Sequence, residues 1–227
     1  MLYFGCMRKD PLVTGEFYHV YNRGVDKRFV FSDEIDLNRF WESIIEFNVI
    51  DPIGSIFEKR HSKKLKNQNY NDKNNLVEFV CYCINPNHFH FLIRQMVDNG
   101  ISEFMKRLSG GYTKYFNEKE RRSGSLFQGR FKSVHIKNNE YLLHLSAYIN
   151  LNDKVHQFGR PTSKLATSKL VRTSWREYMG ESKTNFCNKE IVLGQFGNCN
   201  EYKKFTLSSL KEIKKRKEEL KEIEFES

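Results

Sequence analysis

Asn85-Pro86-Asn87-His88-Phe89-His90-Phe91-Leu92-Ile93 is the stretch on which the fold is decided. In extended chain, side chains alternate between two faces. His88 and His90 then share one face, while Phe89 and Phe91 turn to the other, into a core. Two imidazoles about 6.5–7 Å apart along a strand face can close on one metal ion, and histidine is the commonest metal ligand. Immediately upstream, Leu76–Ile84 reads as a strong strand, and the Asn-Pro-Asn segment as a turn, so the two runs predict an antiparallel hairpin. Cys81 and Cys83 share a face of the first strand, which raises a mixed Cys/His zinc site with His88 and His90. Structural zinc sites usually take two separated ligand pairs joined by short turns, so core cysteines are the favoured reading.

Working outward, residues 16–22 form a first strand. A helix is expected to start with Ser32 or Asp33 as N-cap and to run to about Phe47. It carries Leu37, Phe40, Trp41, Ile44 and Ile45 at helical spacing. A second helix spans Ile101 to about Lys119, where the Gly110-Gly111 pair weakens it and marks a bend or a close approach. After the Ser123-Gly124-Ser125 turn, Leu126–Ile136 reads as a strand. Asn138-Asn139-Glu140 then opens a helix through Tyr141, Leu142, Leu145, Tyr148, Ile149 and Asn152. The first six elements match a split βαββαβ arrangement. The predicted fold is α+β: a ferredoxin-like core with an antiparallel sheet, then a helix bearing Tyr148. The expected division is a catalytic domain over 1–155 and a basic linker with a mainly helical extension over 156–227. In the latter, Ser163-Lys164-Leu165 is echoed by Ser168-Lys169-Leu170. Trp175–Tyr178 and Asn188–Leu193 suggest short packed elements. Glu201 to Glu224 reads as a charged helix with a thin apolar stripe.

The 227 residues are 39% hydrophobic and 29% charged, with a net charge of +10 and a mean hydropathy of -0.66. No run of 18 apolar residues predicts a membrane span, and the first residues carry no signal-peptide pattern. The positive charge points to a polyanion, with nucleic acid ahead of a membrane surface. Nineteen Phe, eleven Tyr and two Trp include side chains able to stack on unpaired bases, although most belong to the core. The five cysteines are odd in number and irregularly spaced, as expected for reduced thiols in a cytoplasmic protein. Candidate phosphate contacts are Arg107, Lys114, Arg121 and Arg122 around the second helix, Arg130 and Lys132 on the fourth strand, and the basic loop 58–75.

Tyr148 and Asn152 stand four residues apart and so share a helix face. A tyrosine hydroxyl can attack phosphorus once a base or a metal activates it. An asparagine oxygen can complete a coordination set begun by two histidines, suited to Mg²⁺ or Mn²⁺. On chemistry alone Tyr112 and Tyr115 rival Tyr148 as nucleophile, and His19 and His135 rival the His88/His90 pair as ligands.

Four motifs in order resemble the single-tyrosine HUH transposases of the small insertion-sequence type, most closely the REP-associated tyrosine transposases. They are Tyr18-His19-Val20-Tyr21-Asn22-Arg23-Gly24, Asn85–Leu92, Gly124–Ser133, and Tyr141-Leu142-Leu143 leading to Tyr148-Ile149-Asn150-Leu151-Asn152. The resemblance covers about residues 14–155 and extends, more weakly, over 170–205. It implies His88 and His90 as metal ligands, Tyr148 as nucleophile and Asn152 as third ligand. It further implies cleavage and rejoining of single-stranded, hairpin-bearing DNA through a 5′-phosphotyrosine link, in a nucleoid-associated monomer or homodimer. One departure stands out: the family often has Asn-Pro after the tyrosine helix, whereas here Asn152 is followed by Asp153-Lys154. The alternatives are a non-catalytic hairpin-binding relative and a zinc-stabilised nucleic-acid-binding module.

Overall fold

The computed structural model describes residues 11–51, 54, 56, 74–156 and 167–226, the side chains of 167–168 and 216–226 excepted. Most of the basic loop, the first Ser-Lys-Leu copy and Cys6 lie outside these. Strand β1 (Phe17–Arg23) is followed by helix α1 (Glu34–Phe47), the hairpin β2 (Val77–Asn85) and β3 (His88–Gln95), helix α2 (Gly100–Lys119), strand β4 (Lys132–His135) and helix α3 (Asn139–Asn150). The chain continues through α4 (Asn152–Val155), β5 (Arg172–Thr173), α5 (Trp175–Tyr178), α6 (Glu190–Leu193) and α7 (Cys199–Glu226). The sheet order is β4-β1-β3-β2-β5, every pairing antiparallel. Its first four strands have the arrangement predicted for the split βαββαβ core.

Local chemistry explains the boundaries. Asp33 caps α1 by accepting from the Asp36 amide at 2.8 Å, and Asn138 caps α3 by accepting from the Tyr141 amide at 2.8 Å. Both satisfy otherwise unpaired first-turn donors. The β2–β3 turn places Asn85 opposite His88. It is held from outside, because the Pro86 and Asn87 carbonyls accept from the Val30 and Gly24 amides.

The two faces of the sheet have separate cores. Phe79, Tyr82, Ile84, Phe89, Phe91 and Ile93 pack with the apolar stripes of α1 and α2. Val80, Cys81, Cys83 and Leu92 pack with α3, Tyr178, Val192 and Tyr202. The pairing register shifts between Phe79 and Cys81, so Val80 is an extra residue at a β-bulge. Phe79 and Tyr82 consequently share a core although they are three positions apart. Gly111 accounts for the close approach of α1 and α2: a Cβ there would lie 2.8 Å from Phe47 Cε2.

Three expectations are corrected. The strand drawn over Leu126–Ile136 is confined to Lys132–His135, because Gly129 turns to φ +67 and Phe127 makes only an isolated bridge to Gly24. The helix does not run unbroken to Asn152: it ends at Asn150, and Leu151 (φ -116, ψ 20) separates it from the single turn that Asn152 begins. The C-terminal segment contributes a fifth strand, with Cys83 opposite Thr173. Its helix α7 buries Tyr202 against α3, where the Tyr202 hydroxyl accepts from Asn150 Nδ2 at 2.8 Å. Asn150 Oδ1 in turn accepts from Ser174 Oγ at 2.6 Å. No helix among the described residues is long and apolar enough to cross a membrane.

Candidate metal and nucleophile site

Strand alternation brings Tyr21 and Arg23 of β1 and His88 and His90 of β3 to one side of the sheet. The register sets Tyr21 opposite His90 and Arg23 opposite His88. The rings of His88 and His90 lie 5.2 Å apart, nearly perpendicular, and both residues are buried. Together with Tyr21, Arg23, Lys132 and His156 they line a cavity of about 250 Å³.

The hydrogen bonds fix the orientation of His88. Asn87 Nδ2 donates to the Lys27 carbonyl at 3.1 Å, which turns Asn87 Oδ1 toward His88 Nδ1 at 2.6 Å. An amide oxygen only accepts, so Nδ1 carries the proton, which in the neutral tautomer leaves the lone pair on Nε2. That lone pair lies 3.0 Å from Asn152 Oδ1, a second acceptor. Asn85 Nδ2 lies within reach of both, 3.0 Å from His88 Nε2 and 2.8 Å from Asn152 Oδ1. Asn152 is fully buried, and its Nδ2 has no hydrogen-bond partner. Two lone pairs facing each other in a buried place, with the imidazole tautomer fixed, form a donor set that fits a divalent cation.

His90 is held differently, with Nδ1 2.8 Å from His19 Nε2. Burial, then the neighbouring imidazoles, push the His90 pKa well below its ordinary value, and burial lowers that of His19 to about 4. Tyr21 stacks on both rings, at 4.8 Å from His19 and 5.6 Å from His90. Tyr148 meets His90 edge to face at 5.5 Å. Burial raises the Tyr148 pKa, while the nearby Asn152 side chain favours its phenolate.

The rival residues are placed elsewhere. Tyr112 is fully buried and donates its hydroxyl to the Val30 carbonyl at 2.6 Å. The Tyr115 hydroxyl donates to Asp36 Oδ1 at 3.0 Å. Both belong to α2, across the sheet from the histidines. His135 pairs with Glu16 at 3.0 Å. Cys81 and Cys83 are fully buried, and among the described residues no group of three or more His, Cys, Asp or Glu side chains could hold a metal ion.

Residues 54–152 match a family described as transposase, IS200 like. The matched stretch runs through His88, His90, Tyr148 and Asn152, whereas β1, with His19 and Arg23, lies outside it. No curated protein sequence matches the chain. Among solved structures, the chain is similar to a REP-associated tyrosine transposase bound to a REP hairpin. The TM-score is 0.51 at 12% identity, over 82% of this chain and 94% of that one. A likeness at that identity speaks to the fold.

The basic side chains divide by location. Lys132 lines the histidine cavity, and Arg130 is exposed at the start of the same edge. Arg107 is held by Glu103 at 2.8 Å and by the Val49 carbonyl at 2.6 Å. Arg122 is held by Asn117 at 2.7 Å and by the Ser125 carbonyl at 3.0 Å. Lys114 is exposed on α2 beside Glu118, and Arg121 is exposed just beyond that helix, so neither reaches the cavity lining. Sequence reasoning passed over Arg23, whose buried Nε has no acceptor, and His156, whose ring lies 4.8 Å from that of His88. Arg23 stood within a quoted motif, and its strand parity with His19 and Tyr21 was the available signal. His156 had none, since its position depends on the break at Leu151.

Proposed function

We propose that the chain cleaves and rejoins single-stranded, hairpin-bearing DNA, with Tyr148 as nucleophile and a divalent cation, Mg²⁺ or Mn²⁺, held by His88, His90 and Asn152. The observation that carries this reading is the meeting within one chain of Tyr148 beside His90 at 5.5 Å and of Asn152 Oδ1 3.0 Å from His88 Nε2. The family match and the hairpin bound by the similar structure support the choice of DNA.

Tyr148 Oη attacks the scissile phosphorus. A phosphorus–oxygen bond to the tyrosine forms as the bond to the 3′ oxygen breaks, and the proton released by the tyrosine hydroxyl is balanced by the one that the departing oxygen takes from solvent to leave as a 3′ hydroxyl. Attack by another 3′ hydroxyl on the phosphotyrosine reverses the step, so the bond energy is retained without a nucleotide cofactor. A divalent cation held by His88, His90 and Asn152 would supply Lewis acidity to the phosphate. Burial keeps the Tyr148 hydroxyl protonated at rest. The unpaired Asn152 Nδ2 is available to the phenolate oxygen as it forms. Arg23, with an Nε lacking an acceptor, and Lys132 supply positive charge at the cavity for phosphate oxygens. The division between a catalytic region over 1–155 and an extension over 156–227 is retained in this reading with one assigned role: α7 braces the nucleophile helix through Tyr202.

Incubation with hairpin-bearing single-stranded DNA and Mn²⁺ should give a covalent adduct on a denaturing gel. His88→Ala should abolish the adduct while leaving most DNA binding. Equal loss of both would assign His88 to the fold instead.

A further inference from the structure

The sequence motif of paired histidines leaves Asn85 without a role, yet this side chain is fully buried at the centre of the site. Its amide nitrogen, His88 Nε2 and Asn152 Oδ1 form a triangle with sides of 2.8, 3.0 and 3.0 Å. An octahedral ion with bonds of about 2.1 Å has adjacent ligands about 3.0 Å apart, which is the size of this triangle. Two of its corners present lone pairs. The third presents N–H groups, which satisfy both lone pairs and repel a cation.

On its other side, Asn85 has a weak partner: Cys83 Sγ donates to Asn85 Oδ1 at 3.6 Å. A thiol is a weak donor and sulfur a weak acceptor, so the environment opposes rotation of the amide only slightly. The terminal torsion of asparagine is broad and roughly two-fold. Half a turn places Oδ1 at the corner now held by Nδ2 and completes a face of three lone pairs.

We propose that Asn85 is a metal ligand that switches. In the metal-free protein its NH₂ group bridges His88 and Asn152. When the cation enters, the amide turns over and Oδ1 joins His88 Nε2 and Asn152 Oδ1 on one face of the coordination sphere. The inference rests on the cation site proposed above and adds a ligand to it.

The test uses the full chain and Mn²⁺ alone, with binding followed by electron paramagnetic resonance. Asn85→Ala should weaken Mn²⁺ binding by at least about tenfold. Asn85→Asp, which carries no N–H and adds a charge, should tighten it by about tenfold or more. A variant that fails to fold is recognised by its melting curve, and the wild type supplies an independent readout. In ¹⁵N-labelled protein, a coupling across the Asn85 Nδ2 to His88 Nε2 hydrogen bond should be present without metal and absent with Mg²⁺. Unchanged or tighter Mn²⁺ binding by Asn85→Ala, or a coupling that persists with Mg²⁺ bound, overturns the proposal. If either result accompanies wild-type binding that His88→Ala removes, the cation site survives and only the role of Asn85 fails. Wild type that binds no Mn²⁺ overturns both.

Discussion

Acidification should destabilise this protein well before its carboxylates titrate, and His19 is the reason. In the unfolded chain a histidine titrates near 6.5; in the folded protein burial lowers His19 to about 4. Above pH 6.5 both states hold the ring neutral, and the fold has its full stability. As pH falls from 6.5 toward 4, the unfolded state takes up a proton that the folded state refuses, so stability is lost across that window. At about 1.36 kcal/mol per pH unit, the gap amounts to roughly 3 kcal/mol at its acid end and about 2 kcal/mol by pH 5. His90, lowered for the same reason and in contact with His19, adds to the loss in the same direction. The assay is urea unfolding in EDTA at intervals from pH 7.5 to 5. His19→Gln can have any stability at pH 7.5, but its slope with pH should be shallower by about 2 kcal/mol over the interval. Parallel slopes for wild type and variant would refute the reasoning.

Other outcomes follow from particular contacts. Tyr202→Phe leaves Asn150 Nδ2 buried without its acceptor and should cost about 1–3 kcal/mol in urea unfolding. Asp36 is fully buried and accepts from the Lys119 ammonium at 2.7 Å, the Tyr115 hydroxyl at 3.0 Å and the Ser32 amide at 2.8 Å, so Asp36→Ala, which removes all three bonds while Lys119 keeps Asp33, should cost about 2–3 kcal/mol in the same assay. Arg23→Gln and Lys132→Gln should each reduce the salt dependence of single-strand DNA binding by about one in the log–log slope. Arg107→Gln should leave that slope unchanged and lower the melting temperature, because Arg107 holds the Val49 carbonyl.

Elements with strong periodicity or caps were legible. The alternation of His88-Phe89-His90-Phe91 set the faces of β3, and Asp33 and Asn138 marked helix starts to within a residue. What escaped is what tertiary contacts decide. The two-residue strand β5 exists because Arg172 and Thr173 meet the edge of β2, and a pair of residues has no period to read. The break at Leu151 has no proline to announce it. The Asn150 side chain just before it is engaged by Tyr202 and Ser174, which come from far along the sequence. The bulge at Val80 lies inside an unbroken apolar run, where either face is acceptable. In the site, residue types and spacing pointed to His88, His90, Tyr148 and Asn152. The supporting roles of His19, Asn85 and Asn87 are invisible without coordinates, because each depends on where one polar atom points.

Which atom attacks phosphorus can be read directly from the covalent adduct. After reaction with hairpin-bearing single-stranded DNA and Mn²⁺, followed by nuclease trimming and trypsin, the modified peptide should span residues 138–154. That peptide contains Tyr141 as well as Tyr148, so fragmentation mass spectrometry must place the nucleotide remnant between them. The phosphate is expected on Tyr148, with no adduct in Tyr148→Phe. A remnant on Tyr141, Tyr112 or Tyr115, or an undiminished adduct in Tyr148→Phe, would contradict it.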